Sequence, residues 1–313
     1  MKEFELIAAI RRAARSLPDN SFEGIGDDCA VLGLGEEALV FTTDALVEGV
    51  HFLRATTSPR DLGHKTLAVN LSDVAAMGVR PVAVLLSLSL TEDATTEWVE
   101  AFMEGFTALA RKHGVALIGG DTTRSEGGIA LSVTAIGRGA ASAIKRRRDA
   151  QAGDLLLVSR PLGGSAHGLQ QLFEGRTEGA SIEAHRRPEP EVEAGAWLGA
   201  RREVHAMMDL SDGLNSDLWR IVEEAEAGAE IELTAIPTAE GATSVDAVAG
   251  GEDYALLLTA DPAHAEALCR DFEAHFHRPL YPIGRITKSG TITWLEGGKV
   301  INPQWKGFEH FSH

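Results

Sequence analysis

Residues 58–78 read Ser58-Pro59-Arg60-Asp61-Leu62-Gly63-His64-Lys65-Thr66-Leu67-Ala68-Val69-Asn70-Leu71-Ser72-Asp73-Val74-Ala75-Ala76-Met77-Gly78, and the architecture follows from how this stretch must fold. Ser58 is a helix cap, Pro59 suits the first helical position, and Asp61 puts a carboxylate in the first turn. Gly78 followed by Pro81 stops the helix. Apolar runs flank it on both sides: residues 38–43 before, and residues 82–90, rich in Val and Leu, after. The unit is strand–helix–strand. Thr66, Asn70 and Asp73 fall at i, i+4 and i+7 and form one polar stripe on an otherwise apolar helix. Asp73 has Leu71, Val74, Ala75 and Ala76 as neighbours, so it faces protein, where a carboxylate is costly unless a positive group meets it.

The same alternation continues outward. Residues 31–34 read as a strand, and residues 95–113 as a long helix closed by Gly114. Residues 115–118 form a short strand ending in Gly119-Gly120-Asp121, and residues 129–136 another strand. The basic run Lys145-Arg146-Arg147-Arg148 and the polar residues after it read as a linker. A new strand follows at 154–159, with helices expected at 191–200, 214–227 and 262–276 and strands at 255–259, 281–286 and 291–295. The class is α/β (α+β): mixed sheets flanked by helices in two domains, residues 1–140 and 141–313. A length of 313 residues agrees, being more than one core usually organises.

Lys and Arg number 29 against 46 Asp and Glu, a net charge of −17. That excess argues against a nucleic-acid or anionic-membrane partner and suits a chain that collects cations. The longest apolar stretch, residues 82–90, is interrupted by two serines and is far too short to cross a bilayer. The first sixteen residues read as an amphipathic helix rather than a signal peptide. Cys29 and Cys269 stand in no metal or redox spacing. A soluble, cytoplasmic protein is expected. The 33 glycines exceed ordinary usage, and many stand beside acids.

Six such segments carry the chemistry: Gly24-Ile25-Gly26-Asp27-Asp28, Thr42-Thr43-Asp44, Asn70-Leu71-Ser72-Asp73, Gly119-Gly120-Asp121-Thr122-Thr123, Asp209-Leu210-Ser211-Asp212-Gly213 and Gly250-Gly251-Glu252-Asp253. Any one alone is most simply a turn. As a set they are nearly free of Lys and Arg, and several acids adjoin apolar runs, so bound metal is the better counter-charge. All the available donors are oxygen, which points to magnesium, calcium or manganese rather than zinc or copper. Gly119-Gly120 and Gly250-Gly251 let backbone N–H groups approach an anion. Asp209–Gly213 runs into a helix whose N-terminus suits phosphate. The combination reads as an enzyme handling nucleotide phosphates through several Mg²⁺ ions. No P-loop, dinucleotide fingerprint, nucleophile elbow or zinc-protease motif occurs.

The strings GIGDDCAV, TTDALVEGVHF, HKTLAVNLSDVAAMGVRP, IGGDTTRS, DLSDGLNSDL, GGEDYALLLT and WKGFEHF, in this order along almost the whole chain, resemble the thiamine-monophosphate kinase family. NLSDVAAMG and GGDTT are shared more widely, with aminoimidazole ribonucleotide synthetase, selenophosphate synthetase and a hydrogenase-maturation protein. The resemblance implies a two-domain aminoimidazole ribonucleotide synthetase-like fold and ATP-dependent phosphorylation of thiamine monophosphate, in a homodimer paired through its N-terminal domains. It implies magnesium ligands at Asp28, Thr42, Thr43, Asp44, Asp73, Asp121, Asp209 and Asp212, with Asp27 beside them. ATP contacts are implied at Gly120, Asp121, Arg147 and Ser211, and substrate contacts at His51, Glu252 and Phe308. Asp44, Asp73, Asp121 and Asp209 are the expected catalytic set. The rival readings are another ATP-using member of the same superfamily, a Mg²⁺-dependent phosphatase, and a nucleotide-binding module without turnover.

Overall fold

The computed structural model describes residues 3–14, 21–303 and 305. The first half contains α1 (Glu3–Ala14), β1 (Phe22–Glu23), β2 (Ala30–Leu34), β3 (Glu37–Val47), α2 (Pro59–Ala76), β4 (Arg80–Leu90), α3 (Thr96–His113), β5 (Ala116–Arg124) and β6 (Ala130–Ala140). The second half continues with β7 (Leu155–Val158), α4 (Gly164–Phe173), α5 (Ala180–Arg186), α6 (Val192–Gly199), β8 (Val204–Asp209) and α7 (Leu214–Glu224). It closes with β9 (Gly228–Glu232), α8 (Ser244–Ala249), β10 (Leu256–Ala260), α9 (Ala265–Phe276), β11 (Tyr281–Thr287), β12 (Ile292–Glu296) and β13 (Lys299–Ile301).

Among the described residues the strands form two sheets, ordered β1-β2-β3-β6-β4-β5 and β13-β12-β9-β11-β7-β10-β8. Both are mixed: β4 and β5 run parallel in the first, β9 and β12 in the second, and the remaining pairs are antiparallel.

α2 forms as its sequence dictates. Ser58 accepts the Asp61 N–H at 3.1 Å and its hydroxyl returns a bond to the Asp61 carboxylate at 2.7 Å, so both ends of the cap are satisfied. The helix is buried almost all round, because it is covered on every side. One side lies on β3 and β6, another meets α3, and a third meets α6 and β8 of the second half. Glycines permit these close approaches. A Cβ on Gly63 would lie 1.9 Å from the Phe102 carbonyl oxygen, and one on Gly195 would lie 2.2 Å from that of Ala75. α3 is capped by Thr95 at one end and by left-handed Gly114 at the other, with Arg111, Lys112 and His113 facing the negative end of its dipole.

The structure departs from the sequence reading in four places. The strand expected to end at Thr43 runs on to Val47 because β6 pairs with it along its whole length. Gly119-Gly120-Asp121-Thr122-Thr123 is strand, parallel to β4, rather than a loop. β8, β9, α5 and α8 were not foreseen, since each is short and takes its stability from the partner it covers. The run 145–148 is not a solvated linker. Lys145 is buried and donates to the Arg201 and Val204 carbonyls, both at 2.7 Å, and Arg147 is largely enclosed.

Gly63→Ala should force α2 and α3 apart and lower stability by about 1–3 kcal/mol, the usual cost of overpacking a tight interface. Chemical denaturation measures it. An unchanged midpoint would mean that the contact is not tight.

Candidate active site

β2 pairs with β3 only as far as Phe41, so beyond that residue this edge of β3 lacks a strand neighbour among the described residues. α2 supplies the missing partner. Asn70 accepts the Asp44 N–H at 3.0 Å, and the Thr42 hydroxyl donates to Asp73 at 2.5 Å. From the second half, Asp209 at the end of β8 accepts the Ser72 hydroxyl at 2.6 Å. From the loop before β2, Asp28 reaches the same place. Asp28, Asp73 and Asp209 each offer one carboxylate oxygen, all within 4.8 Å of one another.

Such crowding leaves a clear electrostatic mark. Burial, and then the charges of Asp44, Asp209 and Asp28, hold the Asp73 carboxyl well above the ordinary range. Burial, followed by Asp28, pushes Asp209 up to about 7, and the same two causes push Asp27 up to about 7. Asp44 opens to solvent on one side, yet protein crowds its other sides. Loss of water, and next the charges of Asp212 and Asp28, raise it to about 6.

The counter-charge within the protein is Arg147, which pairs with Asp28 and lies 3.9 Å from Asp27. Its backbone N–H also donates to Asp27 at 3.2 Å. Asp28 Oδ2 is buried and accepts no hydrogen bond among the described residues. That orphaned oxygen and the surrounding oxygen donors fit a hard divalent cation. Across an octahedral magnesium ion, with bonds of about 2.1 Å, opposite ligand oxygens lie about 4 Å apart.

Asp212 adjoins this cluster. Arg220 donates to its carboxylate at 2.6 Å, while its own N–H donates to buried Asp217 at 3.0 Å. Thr43 points to the other side of the sheet, where its hydroxyl donates to the Val133 carbonyl at 3.1 Å. Ser211 presents its carbonyl to the Glu252 N–H at 2.8 Å.

Asp121 is not brought into the cluster. It pairs with Ser87, Ser87 with Ser132, and Ser132 with Ala45. That register places it three strands, roughly 14 Å, from β3 and on the face opposite Asp44. Gly120 sits beside it in β5 with φ 153°, and a Cβ there would fall 1.8 Å from the Leu86 carbonyl oxygen. Strand packing therefore accounts for that glycine.

The expected substrate residues form a second group. His51 accepts the Val47 N–H on Nδ1 at 3.0 Å. Glu252, with φ 66°, pairs with Lys65 at 2.8 Å and lies 3.2 Å from His185 Nδ1. Phe308 lies outside the described residues. Lys65, Ser72, His185 and Asp217 are the polar residues at the site that sequence reasoning passed over. For Lys65 and Ser72 a signal existed, since both are polar and seven residues apart on a helix that is otherwise apolar.

The chain is similar to known proteins along nearly its whole length. The family description "AIR synthase related protein, N-terminal domain" matches residues 26–139, and its C-terminal counterpart matches residues 151–294. The chain is 38% identical to the thiamine-monophosphate kinase of Haemophilus influenzae, covering 99% of this chain and 98% of that one. It is 34% identical to that of Bacillus subtilis, over 99% of this chain and all of the other. Among solved structures, "AaThiL complexed with AMPPCP and TMP" superposes with a TM-score of 0.85 at 31% identity, covering 99% and 97% of the two chains. The thiamine-monophosphate kinase of Stenotrophomonas maltophilia gives 0.77 at 38%, covering 96% and 99%.

Raised carboxyl groups keep their protons in the folded chain at a pH where the unfolded chain has lost them. The cluster's contribution to stability is therefore full below about pH 4 and is lost as pH rises towards 7, the folded value for Asp27 and Asp209. A divalent cation offsets the repulsion that remains. The rise in Tm produced by Mg²⁺ should grow between pH 5 and pH 8 and shrink sharply in Asp73→Asn. A Mg²⁺ shift that is flat with pH, or unchanged in that variant, would contradict the shared ion site.

Proposed function

The chain belongs to the thiamine-monophosphate kinase family of AIR synthase related proteins, and on that premise we propose that it transfers the γ-phosphoryl group of ATP directly to thiamine monophosphate. The convergence of Asp28, Asp73 and Asp209 from three separate stretches of chain is the observation that carries this reading to the site. The products are ADP and thiamine diphosphate. A P–O bond forms to an oxygen of the acceptor phosphate as the bond from the γ-phosphorus to the β,γ-bridging oxygen breaks.

The acceptor phosphate is largely ionised near neutral pH, so the reaction needs no strong general base. The protein's task is alignment and the neutralisation of charge. Asp27, Asp28, Thr42, Asp44, Asp73, Asp209 and Asp212 are the residues we assign to holding magnesium, and Thr43, whose hydroxyl lies on the other side of the sheet, is left out. Magnesium bound there supplies positive charge that offsets the repulsion between two anionic substrates and an acidic site. Arg147 and Ser211 are assigned to the nucleotide, and His51, Glu252 and Phe308 to thiamine monophosphate. Arg147 already pairs with a carboxylate at the edge of the cluster, a position that suits a guanidinium for phosphate.

The reading includes a homodimer. β5 ends the first sheet, its outer edge lacks a strand partner among the described residues, and all nine of its residues are exposed. Leu117 and Ile118 on β5 are 44% and 58% exposed, and Val82 and Leu85 on the neighbouring β4 are also exposed. Gly120 and Asp121 stand on that strand, so the part we assign them in nucleotide binding belongs to the paired form. We place the domain boundary between residues 140 and 141, a reading supported by family matches that end at 139 and resume at 151. No helix among the described residues is long and apolar enough to cross a membrane. With a net charge of −17, the proposal is a cytoplasmic enzyme without nucleic-acid or membrane partners.

Incubation with ATP, Mg²⁺ and thiamine monophosphate should yield ADP and thiamine diphosphate in equal amounts, and Asp44→Asn or Asp73→Asn should lower kcat at least about 100-fold, as loss of a preorganised electrostatic group does. Release of free phosphate without thiamine diphosphate would instead indicate a phosphatase. Ile118→Arg should shift the sedimenting species towards monomer and reduce turnover with it. A variant that is monomeric and fully active would remove the dimer from the site.

A further inference from the structure

Lys65 lies near the middle of α2 with only 1% of its surface exposed, and it is among the largest fully buried side chains of the protein. A buried ammonium group needs a fixed partner. Its Nζ donates to Glu252 Oε2 at 2.9 Å, forms an ion pair with Oε1 at 2.8 Å, and donates to the His51 carbonyl oxygen at 3.4 Å. One cation from the first half therefore touches both described residues assigned above to thiamine monophosphate. Glu252 itself is not sealed in. Its side chain is 24% exposed, so it meets Lys65 on one side and solvent on another.

The backbone around Glu252 is held in an uncommon state. Its φ of 66° is unusual for a residue other than glycine and requires outside support. That support comes from the nucleotide side. The Glu252 N–H donates to the Ser211 carbonyl and the Tyr254 N–H to the Leu210 carbonyl, both at 2.8 Å. The loop bearing Glu252 is thus laced to the loop bearing Asp209 and Asp212. His185 completes the surround, with Nδ1 3.2 Å from Glu252 and 3.0 Å from the Ser165 hydroxyl. Burial, and then the nearby Lys65 charge, lower His185 to about 4, so near neutral pH it adds no charge and Lys65 alone balances Glu252.

We infer that Lys65 is a positioning residue for the acceptor, holding the Glu252 carboxylate and the His51 backbone at a set distance from the carboxylates that receive the nucleotide. The inference rests on the kinase reading and on the acceptor role given there to Glu252. Lys65 and Asp73 are eight residues apart on one rigid helix, about 12 Å along its axis. The helix therefore acts as a ruler between the acceptor end and the phosphate end. A carboxylate has about four lone-pair positions, so Glu252 engaged with Lys65 and His185 still has acceptor capacity. A flat, amino-bearing, cationic heterocycle such as thiamine offers both an N–H donor and a positive charge to that free side.

The test compares Lys65→Met, Lys65→Arg and Glu252→Gln with the unaltered enzyme by steady-state kinetics for each substrate, calorimetric titration with thiamine monophosphate, and thermal melting. Lys65→Met should raise the KM for thiamine monophosphate at least about tenfold, the cost of one charge-assisted hydrogen bond. The KM for ATP and the Tm should change little, and Lys65→Arg should recover part of the loss. A Met variant with unaltered KM for thiamine monophosphate overturns the inference. So does a variant whose two KM values rise together while its Tm falls, because that pattern is loss of structure alone. If the Met variant does not fold, Lys65→Gln, which removes the charge, replaces it, and a folded Gln variant with unaltered KM overturns the inference. Should Glu252→Gln weaken acceptor binding while both Lys65 variants leave it intact, only the Lys65 inference fails. If none of the three affects the acceptor while turnover persists, the acceptor role of Glu252 fails with it.

Discussion

Three carboxylates, those of Asp28, Asp73 and Asp209, lie within 4.8 Å of one another, and burial, followed by the charge of neighbouring acids, holds Asp73 and Asp209 above the ordinary carboxylate range. Nothing local in the chain would choose that arrangement. It persists because each aspartate is tethered by a hydrogen bond or ion pair from elsewhere: Asp73 by Thr42, Asp209 by Ser72, Asp28 by Arg147. Those tethers are in turn fixed by backbone packing too close to yield, including the approach of Gly195 to Ala75 and of Gly199 to Gly78. The packing holds like charges together, and the magnesium proposed for the site would offset that repulsion.

α2 organises both ends of the site because two polar stripes run along it. Successive residues turn by about 100°, so Thr66, Asn70 and Asp73 share one side, while Lys65 and Ser72 share another. Asn70 and Asp73 are turned to β3, where they meet Asp44 and Thr42. Lys65 and Ser72 are turned to the second half, where they meet Glu252 and Asp209. A single helix thereby sets the spacing between the two sheets and between Glu252 and the aspartate cluster. It can do so because it is buried almost all round, and Lys65, Asn70, Ser72 and Asp73 each find a partner on another element, while the Thr66 hydroxyl donates to Leu62 of the same helix.

Much of this was legible from residues alone. Ser58-Pro59 and Gly78 marked the ends of α2, and Thr95 and Gly114 those of α3, because caps are local chemistry. The acids were legible as a set because oxygen donors beside glycine, without Lys or Arg among them, have few other uses. Misreadings arose where a neighbour overrode the local signal. Lys145 and Arg147 looked like a solvated run, yet carbonyl groups and aspartates drawn from distant segments enclose them. Gly119-Gly120 looked like an anion cradle, but the glycine at 120 is required by the carbonyl of Leu86 on the adjacent strand.

What the amino-acid sequence determined by itself was the kind of chemistry: hard oxygen ligands, phosphate, and a helix with polar residues where apolar ones were expected. Side-chain type and short-range spacing carry that information, and no fold is needed to read it. Which aspartates come within 4.8 Å of one another, that Asp121 faces away from Asp44, and that Lys65 answers Glu252 across 187 positions were decided only by tertiary structure. Strand register and the crossing of two halves over one helix fix those distances, and they arise from packing between segments that carry no mark of one another along the chain.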